Sequence, residues 1–177
     1  MERHLPELPL IDRVKIQAEV LVPVVEALEA KLGVDEAHRL VRAALSAEWR
    51  AYARRLAATH GGSVGALMAH SEDSARGDPI MIEWHELTEQ SARLDITACA
   101  YARFYRDELG APELGHLLVC ENDDWFVEGL GDVVFERHHT IMQGADHCDF
   151  CYRLETTVAE DTPSPDRSEG STHIAVS

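Results

Sequence analysis

The sequence predicts an α+β domain: an N-terminal helical hairpin followed by a small antiparallel sheet of about four strands, covered by helices. Three observations predict it. Apolar residues recur near the 3.6-residue period over the N-terminal third of the chain. The period falls to two from Ile80 onward and again in the last stretches before the C-terminal tail. The order helix, helix, strand, strand, helix, helix, strand, strand packs most simply as one antiparallel sheet with helices on one face.

The first helix covers Leu10 to Leu32, with Ile11, Val14, Ala18, Leu21, Val25, Leu28 and Leu32 on one side. Pro23 removes a backbone bond and is expected to kink that helix or split it. Gly33 fits the stop and Asp35 a new N-cap. A second helix follows, with a stripe from Ala37 to Leu56, ending near Gly61 and Gly62. Its other face carries Arg39, Arg42, Arg50, Arg54 and Arg55 and reads as a solvated side. Ser63 to His70 predicts a short third helix, and Ser71 to Pro79 a polar linker. Strands are expected over Ile80–Leu87 and Ala92–Thr97, joined tightly at Thr88, Glu89 and Gln90, with Leu94 and Ile96 inward. Helical spacing returns over Ala98–Leu109 and from Pro112 to Cys120, the second ending in the acidic run Glu121–Asp124. Asp132 to Thr157 reads as two strands joined by a loop at Gln143–Asp146, which delivers His147, Cys148 and Asp149 to the mouth of the last strand.

The bulk numbers narrow the function. At 177 residues the chain fits one domain, residues 1–157, and a Pro/Ser/Glu-rich disordered tail, residues 158–177. A formal charge of −16 argues against nucleic acid and anionic membrane surfaces as partners, since both need basic patches. No apolar run spans a membrane and no secretory pattern opens the chain, so a cytoplasmic address is expected. In that setting Cys99, Cys120, Cys148 and Cys151 are reduced thiols, in a chain with 10 histidines. The N-terminal helices offer a surface for homo-oligomer contact.

Cys148–Asp149–Phe150–Cys151 matches C-x-x-C. A thioredoxin-like site would need the motif to open a helix, and Tyr152 to Thr157 is strand-forming instead. A zinc pair would need converging sulfurs, whereas residues three apart on a strand face opposite ways. Zinc stays the alternative through His139, His147 and Cys120; otherwise no cofactor is expected. Cys148 shares its face with Phe150 and Tyr152, and reads either as a nucleophile with His139 or His147 as base, or as a small buried hydrophobe. His138 and His139 fall on the expected strand with opposite parity, and Arg137 shares the face of His139. Glu83 and His85 lie on one strand face, as an acid/base or substrate-contacting pair or as a solvent-facing side. Cys99 falls at a strand-to-helix junction, where a helix N-terminus would lower a thiol pKa.

Several stretches together carry a family resemblance. They are Ile96 to Tyr101, Glu108 to Gly115, Cys120 to Asp123, Phe135 to Arg137 with Thr140, and Gly144 followed by Cys148, Asp149 and Phe150. This ordered set resembles the L-2-amino-thiazoline-4-carboxylic acid hydrolase family, over roughly Val14 to Leu154. The resemblance implies a bacterial-type hydrolase of secondary metabolism that opens a cyclic amidine-like ring of a small substrate. It also implies a shared site containing Cys99, Cys120, Asp123, Cys148 and Asp149. On that basis the Cys148 thiolate, or a water activated by His or Asp, attacks the sp² ring carbon. His139 or His147 then serves as base and acid, and Asp149 or Asp123 orients it or steadies the amidine cation. Arg137 is expected to grip a substrate carboxylate in two-pronged fashion.

Overall fold

A computed structural model describes residues 8–77 and 79–155. The expected tail at 158–177 lies outside the described residues. Helix α1, Leu10–Leu32, runs through Pro23 without a break. Ala18 and Val25, on either side of the proline, are both buried in the core, and that packing holds the helix together across the missing N–H. Gly33, at φ 84°, ends α1 and gives its N–H to Glu29 at 2.8 Å. Helix α2, Val34–His60, starts directly after it, so Asp35 is not an N-cap but sits in the first turn with Glu36, where the helix dipole favours carboxylates. Helix α3, Ser63–Ala75, extends beyond the expected stop at His70, and Arg13 ties it to α1 through Asp73 at 2.8 Å.

The arginine face of α2 is not wholly solvated. Arg42 holds Glu121 at 2.8 Å, and Arg50 donates from Nε to Glu128 at 2.7 Å. Both acceptors belong to helix α6, Glu121–Leu130. A Cβ on Gly129 would stand 2.6 Å from the Arg50 carbonyl oxygen, so only glycine permits this close crossing. The acidic run at Glu121–Asp124 therefore begins a helix rather than ending one. Trp125, Phe126 and Val127, buried along it, carry the helix onward.

Strand β1, Ile80–Leu87, and β2, Ser91–Cys99, form the expected hairpin. Thr88 Oγ1 accepts the N–H groups of Gln90 and Ser91 and closes its turn. The chain then enters α4, Ala100–Ala102, which widens into a π-helical stretch at Arg103–Glu108. Helix α5, Pro112–Gly115, passes through a second π-helical stretch, His116–Cys120, into α6. Strand β3, Val133–Glu136, and β4, Cys148–Leu154, complete one sheet in the order β1-β2-β4-β3, antiparallel throughout.

Strand β3 stops at Glu136, so His138 and His139 are not on a strand as expected. Their N–H groups, which a longer ladder would have used, donate to the Asp149 carboxylate instead. The connection to β4 is correspondingly longer than a four-residue loop and contains a 3₁₀ turn at Ile141–Gln143, capped by Thr140. The inner face of the sheet presents Leu94, Ile96, Cys148, Phe150 and Tyr152 to the helices.

Candidate functional site

Strand alternation sends the candidates to two faces. On the inner side, Cys148 from β4 meets Cys99 at the end of β2 and Cys120 at the end of the second π-helical stretch. With Tyr101, Asp123, Arg137, Thr140 and Phe150 they line a cavity of about 130 Å³. The Ile141 N–H donates to Cys148 Sγ at 3.2 Å, and the Ala102 N–H to Cys99 Sγ at 3.4 Å. Burial pushes the Cys148 thiol up to about 11, and raises Cys99 and Cys120 as well. For Cys99 this reverses the expected lowering. Burial outweighs the backbone N–H groups of Ala102 and Tyr101, which pull the other way.

The charged pair of the cavity is Asp123 and Arg137. Arg137 Nη1 donates to Asp123 Oδ2 at 2.9 Å and to the Cys120 carbonyl at 3.1 Å; Nη2 donates to Asp124 Oδ2 at 2.7 Å. The guanidinium also lies over the rings of Phe135 and Phe150, 5.4 and 5.5 Å from their centroids. The arginine side chain keeps only 6% of its surface exposed. Its two-pronged reach is thus directed at two carboxylates of the protein. Burial pushes Asp123 up to about 6, against the pull of Arg137 in the other direction. Yet its side chain retains 28% of its surface, which opens into the hollows it lines. It is recessed and still reachable.

A second hollow of about 390 Å³ lies among α1, α2, α3 and α6. It shares Leu10, His70, Ser74, Val119 and Asp123 with the inner cavity, so the two adjoin at Asp123. His70 stacks on Phe126 at 4.3 Å, and burial lowers its pKa to about 4, keeping the ring neutral.

The other candidates occupy the outer face. Asp149 accepts the N–H of His138 at 2.9 Å and of His139 at 2.6 Å, and meets Nδ1 of His138 at 2.9 Å. Burial works to raise its pKa, but these hydrogen bonds win and hold the carboxyl down to about 2. Asp95 stands opposite both Glu83 and Asp149 in the ladder, and His85 Nε2 reaches it at 2.8 Å. His147 pairs with the exposed Asp146 at 2.6 Å, and its ring lies 5.8 Å from that of His139. Among the described residues, no imidazole hydrogen-bonds the Cys148 sulfur. Nor does any group of three His, Cys, Asp or Glu side chains among them have the arrangement to hold a metal ion.

The fold therefore gathers Cys99, Cys120, Asp123, Arg137 and Cys148 around one cavity, and sets Asp149, His139, His147, His85 and Glu83 apart from them. His70 and Asn122 belong to the inner region without having been singled out as site residues, and Asp124, next to Asp123, joins them through Arg137. His70 had helical spacing from the buried Ala66.

The L-2-amino-thiazoline-4-carboxylic acid hydrolase family model matches residues 13–152. No curated protein matches this sequence. Among solved structures, one similar chain is the phenol-responsive sensory domain of the transcription activator PoxR with phenol. It is 14% identical, with a TM-score of 0.47 over 76% of this chain and 72% of that one. No helix among the described residues is long and apolar enough to cross a membrane.

Proposed function

Because this chain belongs to the L-2-amino-thiazoline-4-carboxylic acid hydrolase family, we propose that it hydrolyses a small cyclic amidine or thiazoline-like ring in the inner cavity. In this proposal Asp123 is the group that moves the proton. The observation that carries it is the recessed Asp123 carboxyl, raised to about 6 and oriented by a buried arginine. A group of that strength is half-ionised at about pH 6, close enough to neutrality both to take and to return a proton.

In the reaction we envisage, the oxygen of a water adds to the sp² carbon between the heteroatoms while the Asp123 carboxylate takes one of its protons. The C–S bond then breaks as the carbamoyl C=O forms, the second water proton passes to the ring nitrogen, and Asp123 returns the first to the departing sulfur. Arg137 acts by holding Asp123 rather than by touching substrate. The thiols of Cys99, Cys120 and Cys148 supply a soft, polarisable wall for the ring sulfur. Direct attack by Cys148 is the second reading, favoured by its place in the same cavity. Its thiol at about 11 would first have to lose a proton, with Asp123 as the nearby acceptor.

The test is Asp123→Asn in protein shown to keep its fold. Turnover of cyclic amidine probes should fall by about 10²–10⁴-fold, the usual worth of a positioned acid/base group. The wild-type rate should rise through about pH 6 as Asp123 ionises, and the variant should lose that limb. Undiminished turnover in the variant removes Asp123 from the mechanism. If Cys148→Ser abolishes turnover while binding persists, the covalent reading replaces this one. Binding without turnover across a panel of cyclic amidines, imides and lactams would make the protein a ligand-binding module instead. Loss of turnover on chelation would bring back the zinc alternative. We also place the protein in the cytoplasm, consistent with four free cysteines. Exposed Ile16, Val20 and Val24 along α1 support self-association through the N-terminal helices, which sedimentation at micromolar concentration would reveal or refute.

A further inference from the structure

The hydrolytic step leaves one requirement unmet. While Asp123 handles the water proton, an amino group on the substrate ring needs an acceptor of its own, because a buried N–H without a partner is costly. Most polar side chains of the inner cavity are already engaged. Arg137 donates to Asp123 and Asp124, and the Thr140 hydroxyl donates to Gln143 Oε1 at 3.0 Å. The Cys99 and Cys148 sulfurs receive backbone N–H groups, and the Tyr101 hydroxyl turns to the Ser74 carbonyl. Left without a hydrogen bond among the described residues are the hydroxyls of Ser71, Ser74 and Tyr152 and the imidazole of His70.

His70 differs from these hydroxyls in two ways. A hydroxyl brings its own proton, whereas a neutral imidazole always carries one bare nitrogen that can only accept. The ring is also held in place. It stacks on the buried Phe126 at 4.3 Å with 21° between the planes, and the rings of Trp49 and Tyr52 stand edge-on to it at 5.8 and 6.1 Å. Its nitrogens are not sealed in. Among the described residues, Asn122 Oδ1 is the buried polar side-chain atom with no partner, so the unpaired nitrogens of His70 keep accessible surface. The residue lines both hollows, as Asp123 does. Burial lowers the imidazole to about 4 and keeps it neutral, so it does not repel a basic ligand such as an amidine.

We propose that His70 is the specificity-determining residue of the inner cavity, its bare ring nitrogen accepting the N–H of an amino group on the substrate ring. The inference rests on the hydrolase reading and narrows its substrate to rings with an exocyclic N–H on the carbon attacked. A ring with a methyl group there leaves the imidazole nitrogen unpaired and binds less well. Selection then belongs to α3, which carries His70, and proton transfer to Asp123 in the first turn of α6.

The test uses two probes on the full chain that differ only at that position, 2-amino-2-thiazoline and 2-methyl-2-thiazoline. Calorimetry follows binding, and release of the ring thiol follows turnover. His70→Phe keeps an aromatic ring against Phe126 and removes both nitrogens, with circular dichroism to check the fold. In this variant Kd and KM for the amino probe should rise about tenfold, while those for the methyl probe stay within about twofold. His70→Gln, which retains an acceptor, should recover part of the loss. Nitrogen NMR of the wild-type imidazoles keeps the test decisive if His70→Phe fails to fold: the amino probe should move the bare-nitrogen signal of His70, and the methyl probe should not. Equal loss for both probes, or no loss for either, overturns the assignment of His70 and leaves the hydrolase reading standing where wild type turns the amino probe over. Selective binding through His70 without turnover supports the assignment and removes hydrolysis. If neither probe binds, both proposals fall.

Discussion

The two faces of the sheet put consecutive residues into opposite chemistry. Cys148 and Asp149 are neighbours on β4, yet one thiol is pushed up to about 11 and the next carboxyl is held down to about 2. On the inner face, burial sets the outcome, and a charge persists only where Arg137 and two aspartates neutralise each other. On the outer face, carboxylates from three adjacent strands, Glu83, Asp95 and Asp149, line up where like charges destabilise a ladder. Histidines and backbone N–H groups gather round that row and offset it. Proximity in sequence therefore says nothing about a shared site here; the inner face handles protons in a closed space, and the outer face fastens a turn in solvent.

The largest effect that separates the faces is expected from Arg137→Met. The substitution keeps the volume of the side chain's stem but leaves the recessed Asp123 and the half-exposed Asp124 side by side without their cation. Breaking a fully buried pair typically costs ~3–5 kcal/mol, and the solvent that reaches both carboxylates lowers that. Urea unfolding near neutral pH should show a loss of about 1–3 kcal/mol. The sign at acid pH follows from Asp123. Its folded pKa of about 6 lies above the ordinary 3.8, so the folded state favours the protonated form, and the cost of its ionisation appears as pH rises through about 6. The variant should therefore recover part of its stability below pH 6. Equal loss at pH 5 and pH 8 would show that Arg137 matters for packing rather than charge.

Part of this organisation was legible in the sequence. The period of α1 and α2, the glycine stop at Gly33 and the alternation of β1 and β2 are local signals, and they fixed those elements closely. The end of β3 was not legible, because it is decided by a side chain 11 residues further on that takes the backbone N–H groups away from the ladder. The split between Cys148 and Asp149 was available from strand parity alone. It applies to adjacent residues as firmly as to Cys148 and Cys151. The Asp123–Arg137 contact was harder to foresee. Those residues are 14 apart in sequence, one in the first turn of α6 and the other just past the end of β3, so neither local period brings them together.

A middle-sized effect should distinguish the cysteines. Cys151 sits on the outer side of β4, opposite Arg93 and Glu136, whereas Cys148 is 8% exposed. Alkylation with iodoacetamide at pH 7.5 should modify Cys151 first and Cys148 at least about tenfold more slowly, since the thiolate is the reacting form and burial disfavours it. Peptide mapping over time reads the order directly. If Cys148 labels first, its sulfur is activated in solution, and the covalent mechanism gains the ground that Asp123 loses.

The smallest effect tests whether the two faces are independent at all. Asp149 fastens the turn from which Arg137 projects inward, so its removal could reach the cavity through the backbone. Asp149→Ala deletes a carboxylate whose folded pKa, about 2, lies below the ordinary 3.8. The stability it contributes is present above pH 3.8 and is lost as pH falls through about 2. Because the carboxylate keeps 27% of its surface and both histidine partners are exposed, screening keeps that contribution to about 1 kcal/mol or less. The variant should therefore unfold slightly more easily than wild type at pH 6, and the gap should close below pH 2. Turnover by the variant at pH 7 should stay within about fivefold of wild type, because Arg137 is also held from the inside by Asp123, Asp124 and two aromatic rings. A loss approaching that of Asp123→Asn would mean that the outer clamp sets the position of Arg137, and that the cavity depends on a carboxylate it never touches.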